Sequence, residues 1–498
     1  MVIRYPLIVL TTSWLFAAMA IGEAQLGGQR ANVTQELEPL PSSIEAARLL
    51  RALPASKFPI IRSAVAAAHL SSARAPLAAK SWRFWRILAG NLQNQKVQGI
   101  ARTLIEQRFM TAESPKAMAD AWPFLLGQIA VQQSNYAAAE RHFAQVRSSS
   151  TYYQGALLEQ AMAAYKLGNE QKALSLLRTL AREMEASSSK SQADNLLSLV
   201  NLTIARIQFD LKDYAASIKS YRRVGRESVH FQTALREQSW SLLYSGQAGF
   251  ALGAIYSAET SFFRQRFDPE YTLLKPMIFY SLCNYQDSYD GIIEFARLYR
   301  EPMEQLQRYL SADGRIEQDT FDLLDRHLSK RRSNLEPLSA GVVEMALENP
   351  LVARELAQFV AVLRERDALN VWRHRMTAKQ AATTDAMLRR MIAASASDLA
   401  KSFAWSLQQI HDQYRQLRDR AELLYIDVLS ALKDHTGAVR IASLAGVKVG
   451  SDRVISQIWS GDGLEFSANK YEEHWWDEVG YHVMPVRNQC SNEKSGGN

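Results

Sequence analysis

Nine histidines and two cysteines in 498 residues limit the chemistry open to this chain. The closest approach to a reactive cluster is His474 beside Glu472, Glu473 and Asp477. An imidazole among carboxylates could hold a metal ion or pass a proton. This stretch is rich in acidic side chains, and we read the cluster as a solvated face. The chain has no His-Glu-x-x-His, no Gly-x-Ser-x-Gly, no phosphate loop and no dinucleotide fingerprint. We therefore expect no catalytic residues, no metal site and no cofactor: a non-enzymatic protein.

Two other features could act on a partner or on stability. The run Lys80-Ser81-Trp82-Arg83-Phe84-Trp85-Arg86 is basic and aromatic and could touch an anionic surface or polymer. On a helix such aromatics usually enter the core while the arginines reach out along their stems, and we adopt that reading. Cys283 and Cys490 have no metal-site spacing. Either they form a bridge or they are two unpaired thiols, and we favour the bridge. It would close a loop of about 200 residues, for which chain entropy gives on the order of 5 kcal/mol.

The elements that carry these residues are repeated. From Ala121 to Ala258 the chain reads as four copies of one helix-turn-helix unit. The first has Leu126-Gly127, Ala130, Tyr136, Ala139 and Phe143. The second has Ala161, Ala164, Gly168, Ala173 and Leu177. The third has Ala205, Tyr214, Ser217 and Tyr221, and the fourth has Ser239, Leu242, Gly246, Ala251 and Ile255. Equivalent positions such as Ala139 and Ala173 lie about 34 residues apart. The Ser/Lys run Ser187 to Ser191 absorbs a longer step between copies two and three. Small residues let the two helices approach, bulky ones fill the space between units, and no unit buries its apolar face alone. A fifth copy, with Phe279, Tyr285, Ser288 and Ile292, carries Pro276 where a small residue belongs.

Spacing and small/large alternation together resemble the tetratricopeptide repeat (TPR). The resemblance implies an all-α fold, a TPR-like α-solenoid. In such an array the first helix of each unit lines a concave groove that takes a peptide segment of a protein partner. The groove positions are Gln128 and Gln132, then Met162, Tyr165 and Lys166, then Arg206, Phe209 and Asp210, and finally Arg236, Trp240 and Tyr244. Arginine and the aromatics are the residue types that anchor interfaces. Each aromatic could instead pack between repeats, and Trp240 is the most evenly balanced. Arg206 and Arg236 are expected to face the ligand.

Composition sets the compartment and class. Hydrophobic residues make up 47% of the chain, which excludes wholesale disorder. The net charge of +7 reads as a solvated basic surface rather than a nucleic-acid footprint. Arg4, the apolar run Leu7 to Ala18 and Ala18-Met19-Ala20 have the pattern of a cleaved export signal, with retention as a membrane anchor the rival reading. The expected organisation is a signal over 1–24, a leader over 25–43 and degenerate helical pairs over 44–120. The array follows over 121–310, a long helical hairpin over 330–436 and a tail with short strands over 437–498.

The hairpin is expected because Leu351 to Thr436 holds no glycine or proline. Phe403, Leu407, Ile410, Tyr414, Leu417, Ala421, Leu424 and Val428 step by four and three as a coiled-coil seam. The turn is placed near Thr377 to Asp385 or near Ser395 to Asp398. The seam can be met within an antiparallel hairpin or by a homodimer. The small C-terminal segment is aromatic-rich, with Trp459, Tyr471, Trp475, Trp476 and Tyr481, and strand-like at Val447-Lys448-Val449 and Val454-Ile455-Ser456.

Ala234 to Tyr244, Leu282-Cys283-Asn284-Tyr285 and Trp476-Asp477-Glu478-Val479-Gly480-Tyr481 before Cys490 together resemble envelope TPR proteins of gliding and predatory deltaproteobacteria. That resemblance implies a non-enzymatic periplasmic or cell-envelope scaffold that assembles a multiprotein complex, in motility among other roles. The rival function is peptidoglycan binding through the aromatic tail.

Overall fold

The fold, as seen in a computed structural model, is all-α among the described residues apart from one pair of two-residue strands. It describes residues 43–72, 82–110, 113–186, 192–263, 267–311, 323, 338–444, 466–467, 479–486 and 488–490. The export signal, the leader up to residue 42, Ser187 to Ser191, the His474 cluster and the tail aromatics named above, except Tyr481, lie outside them. So do the strand-like runs at 447–449 and 454–456.

The helices are α1 (Ser43–Ala52), α2 (Pro59–Ser72), α3 (Trp82–Asn91), α4 (Gln95–Arg108), α5 (Trp122–Gln132), α6 (Tyr136–Phe143), α7 (Tyr153–Lys166) and α8 (Glu170–Ala186). Then come α9 (Gln192–Asp210), α10 (Tyr214–Tyr221), α11 (Phe231–Tyr244), α12 (Ala248–Ala258), α13 (Pro269–Ser281) and α14 (Tyr285–Ser311). The last are α15 (Ala340–Glu348), α16 (Pro350–Trp372) and α17 (Ala378–Leu444), followed by β1 (Phe466–Ser467) and β2 (His482–Val483), paired in parallel. The chain divides into two units. Unit 1 takes residues 1–180, 315–324 and 347–406, and unit 2 takes 181–314, 325–346 and 407–498.

Five consecutive pairs, from α5–α6 to α13–α14, turn in one way. Each first helix ends on a residue with positive φ: Ser134, Gly168, Lys212, Gly246 and Cys283. The next residue's N–H returns to a carbonyl five positions back. These bonds are Asn135 to Ala130 at 2.8 Å, Asn169 to Ala164 at 2.9 Å and Asp213 to Gln208 at 2.9 Å. Gln247 to Leu242 at 2.8 Å and Asn284 to Phe279 at 2.9 Å complete the set. This closure satisfies carbonyls that a helix end otherwise leaves open. Asn135 and Asp213 then cap the second helix by accepting from Ala138 and Ala216 N–H, each at 3.1 Å.

The small residues sit where the two helices of a pair cross. A Cβ on Gly127 would lie 2.4 Å from the Phe143 ring, so Phe143 packs into its own pair across that glycine. Where the second helix brings serine to the crossing, its hydroxyl donates to the facing backbone. Ser217 bonds Ala205 O at 2.9 Å, and Ser288 bonds Pro276 O at 2.8 Å. Pro276 is therefore accommodated in α13, with Gly291 leaving room for its ring.

In unit 1, Val362 and Leu369 of α16 and Met387, Leu388 and Met391 of α17 join the core built by α1 to α5. Trp85 of the basic-aromatic run and Leu88 just beyond it are buried there, while Trp82 and both arginines of the run stay exposed. Buried Glu365 accepts from the N–H groups of Ile60 (2.5 Å) and Ile61 (2.9 Å), donors left open at the start of α2. Burial pushes its carboxyl up to about 7, against the downward pull of those two bonds.

The break between α16 and α17 falls at 373–377, at the edge of the first location expected from sequence. Thr377 and Gln380 exchange bonds there as a capping box, Thr377 N–H to Gln380 Oε1 at 3.0 Å and Gln380 N–H to Thr377 Oγ1 at 3.3 Å. The second location, Ser395 to Asp398, is uninterrupted helix. All seam residues of α17 are buried except Leu424, which is partly exposed. In unit 2 the seam at Tyr414 is met by Phe295 of α14, ring centroids 6.0 Å apart, rather than by another arm helix.

Candidate partner-binding faces

The first helices of unit 2 carry a ladder of side-chain pairs. Arg206 of α9 donates from Nε and Nη2 to the two carboxylate oxygens of Glu237 on α11, at 2.8 and 2.6 Å. Tyr221 adds its hydroxyl to the same carboxylate at 3.2 Å. Arg236 of α11 donates to Asp268 at 2.6 Å and lies over the Tyr271 ring at 5.6 Å. Trp240 donates from its indole N–H to Glu270 Oε1 at 3.1 Å. Each anchor thus finds its acid about one repeat further along the chain.

The electrostatics follow from this enclosure. Burial alone would lower the Arg206 guanidinium, but Glu237 overrides it and holds the cation above its usual range. Burial, with Glu237 beside it, raises the Tyr221 phenol well above normal. Burial, reinforced by Asp268, pushes the Glu270 carboxyl up to about 8, against the downward pull of the Trp240 bond.

The C-terminal half of α17 lies against α13 and α14 within unit 2. Gln413 donates to Glu270 Oε2 at 3.3 Å, Tyr414 stacks on Phe295, and Tyr425 meets Tyr289 at 5.7 Å. The expectation that Arg206 and Arg236 face an open groove is thereby corrected. They are 6% and 5% exposed and paired with carboxylates. Trp240 and Phe209 are buried as well, and Asp210 and Tyr244 are half-buried. Tyr244 stacks on Tyr214 at 5.2 Å and on Trp240 at 6.2 Å.

Unit 1 presents its first-helix positions differently. Gln128 and Gln132 of α5 and Met162, Tyr165 and Lys166 of α7 are all half-buried. Gln128 accepts from Arg102 at 3.5 Å. The buried Nε2 of Gln132 has no hydrogen-bond acceptor among the described residues. Burial lowers the Lys166 ammonium, and no carboxylate among the described residues counters it. No family model matches the chain, and no curated protein matches it. Among the described residues no group of three His, Cys, Asp or Glu side chains could hold a metal, and no helix is long and apolar enough to cross a membrane.

Sequence reading missed two sets of residues. The acids Glu237, Asp268 and Glu270 could have been found by looking one repeat downstream of each groove anchor for an opposite charge. The second set is Gly249, Gly253 and Ser257, four residues apart on α12, where residues 479–486 are seated. A Cβ on Gly253 would fall 1.8 Å from His482 O. Met484 N–H donates to Gly249 O at 3.1 Å, and Gly480 N–H donates to Ser257 Oγ at 3.0 Å. That same hydroxyl lies 2.8 Å from Nδ1 of buried His482. Beyond it lies the Cys283–Cys490 disulfide, whose Cα atoms are 5.2 Å apart. Cys283 is the positive-φ residue of the fifth turn.

Proposed function

We propose that this chain is an exported helical-repeat scaffold of the tetratricopeptide type, holding a protein partner rather than transforming a substrate. The observation that carries this reading is the recurrence of one positive-φ turn in five successive helix pairs, with small residues at the crossings. A stack of such pairs offers its first helices as a continuous recognition surface. The long α16–α17 hairpin belongs to the same scaffold, and in unit 2 α17 lies on the helices that a ligand would otherwise reach. The docking positions are then Gln128, Gln132, Met162, Tyr165 and Lys166. A peptide bringing a carboxylate to Lys166 would supply a counter-charge that no described residue gives it. The disulfide supports an oxidising compartment such as the periplasm. The resemblance to envelope proteins of gliding bacteria supports a role in assembling an envelope complex, motility machinery included.

The test is an affinity pull-down from envelope extract with the intact protein and with the Lys166→Glu/Gln132→Ala variant. Circular dichroism and thermal unfolding serve as the fold control. We expect a discrete protein to be lost from the variant while the melting curve is unchanged. Recovery of the same proteins by both forms would remove the docking site from this face.

A further inference from the structure

The turn between α16 and α17 gathers cations around one tryptophan. The Trp372 indole N–H is anchored to Ala52 O at 3.0 Å. Its ring is flanked by Lys57 Nζ at 4.9 Å and by the Arg375 guanidinium at 4.4 Å. Arg373, His374 and Lys379 are exposed beside it. Among the described residues the carboxylates nearest in sequence are exposed Asp367 and half-buried Asp385, and Asp385 is already engaged by Arg373 at 3.2 Å and Arg389 at 2.8 Å. Val371, next to the tryptophan, is 70% exposed.

We infer that this turn is a docking surface for an anionic lipid headgroup layer. Several cations with few opposing acids match a negatively charged surface. A soluble polyanion would need the cations alone. The exposed valine next to an indole is the feature that favours lipid, because a small apolar side chain and a tryptophan partition together at a membrane interface. Trp372 is positioned by its bond to Ala52, so the cations beside its ring gather around a fixed point at the turn.

The experiment is co-sedimentation of the full chain with vesicles of phosphatidylcholine alone and of phosphatidylcholine with phosphatidylglycerol. It is run at low and high salt, with the variants Arg375→Glu/Lys379→Glu and Val371→Asp. The wild type should bind the anionic vesicles only and lose them at high salt. At roughly fivefold per cation removed, and more for reversal, the charge variant should bind on the order of a hundredfold more weakly. Val371→Asp should bind several-fold more weakly. Its exposed position protects the fold, and the salt and lipid dependence of the wild type does not rely on either variant. Equal binding to both vesicle types, no binding to either, or wild-type binding by both variants would overturn the inference. So would a short DNA duplex that competes fully while Val371→Asp has no effect, since that result describes a polyanion site.

Discussion

The first-helix faces of the two units carry the same kinds of residue and use them in opposite ways. In unit 2 the cations Arg206 and Arg236 are matched inside the fold by Glu237 and Asp268, and α17 lies over the neighbouring helices. In unit 1, among the described residues, Lys166 has burial without a counter-charge, and Gln132 has a buried donor without an acceptor. A residue type that anchors interfaces therefore does not identify an interface. What separates the two faces is whether the chain itself provides the partner.

The sharpest way to break this contrast is Arg206→Ala. Removing one partner from a buried pair leaves Glu237 charged and unmatched, and we expect a loss of about 3–5 kcal/mol in urea unfolding. The double variant Arg206→Met/Glu237→Leu should recover most of that, because the uncompensated charge goes with it. A loss within 1 kcal/mol for the single variant would mean the pair is not sealed.

Next in size is the pH dependence. Burial raises the carboxyls of Glu270 in unit 2 and Glu365 in unit 1 above the ordinary 4.5 in the folded chain, to about 8 and about 7. The folded state then holds more protons than the unfolded state between these limits, so stability falls as pH rises. The contribution is fully present below about 4.5 and is lost by about pH 7 for Glu365 and about pH 8 for Glu270. For Glu365 the whole effect is of order 2–3 kcal/mol. Urea midpoints from pH 4.5 to pH 8 should fall steadily, and Glu365→Gln should flatten the slope below neutrality while leaving the part above it. An unchanged slope in that variant would place the titration elsewhere.

The smallest expected effect is on the open face. Lys166→Ala should change stability by no more than about 0.5 kcal/mol, since no carboxylate among the described residues pairs with the ammonium. A larger loss, seen in the same unfolding assay, would reveal a partner for Lys166 and bring the two faces closer in kind.

Much of the fold is legible in the sequence because the repeat constrains residue types. Gly168 and Gly246 mark a position that needs positive φ, and Gly127, Ala161 and Ala205 mark close crossings. The same turn position is hidden at Ser134, Lys212 and Cys283, where tertiary context imposes a conformation that side chains disfavour. The break after Trp372 is hard to see because it uses no glycine or proline, only the reciprocal bonds of Thr377 and Gln380. Burial of Arg206 and Arg236 depends on the register of neighbouring helices. Spacing within one repeat carries no record of that register. The seat for residues 479–486 is written as Gly249, Gly253 and Ser257, a pattern overshadowed by Ala251 and Ile255 on the same helix.

The bond between Cys283 and Cys490 joins residues 207 apart in sequence, and this has a consequence for the order of manufacture. At about 5–20 residues per second, a ribosome delivers the second sulfur on the order of 10–40 seconds after the first. Once Ser311 has been added, the fifth helix pair has all its own residues yet carries a bare thiol at its turn for the rest of that interval. Any oxidising machinery that acts on the growing chain would meet Cys283 alone and could only cap it or cross-link it to another molecule. Correct closure therefore has to follow synthesis, and a chain cut short before Cys490 would keep its repeats while advertising its incompleteness as a reactive sulfhydryl.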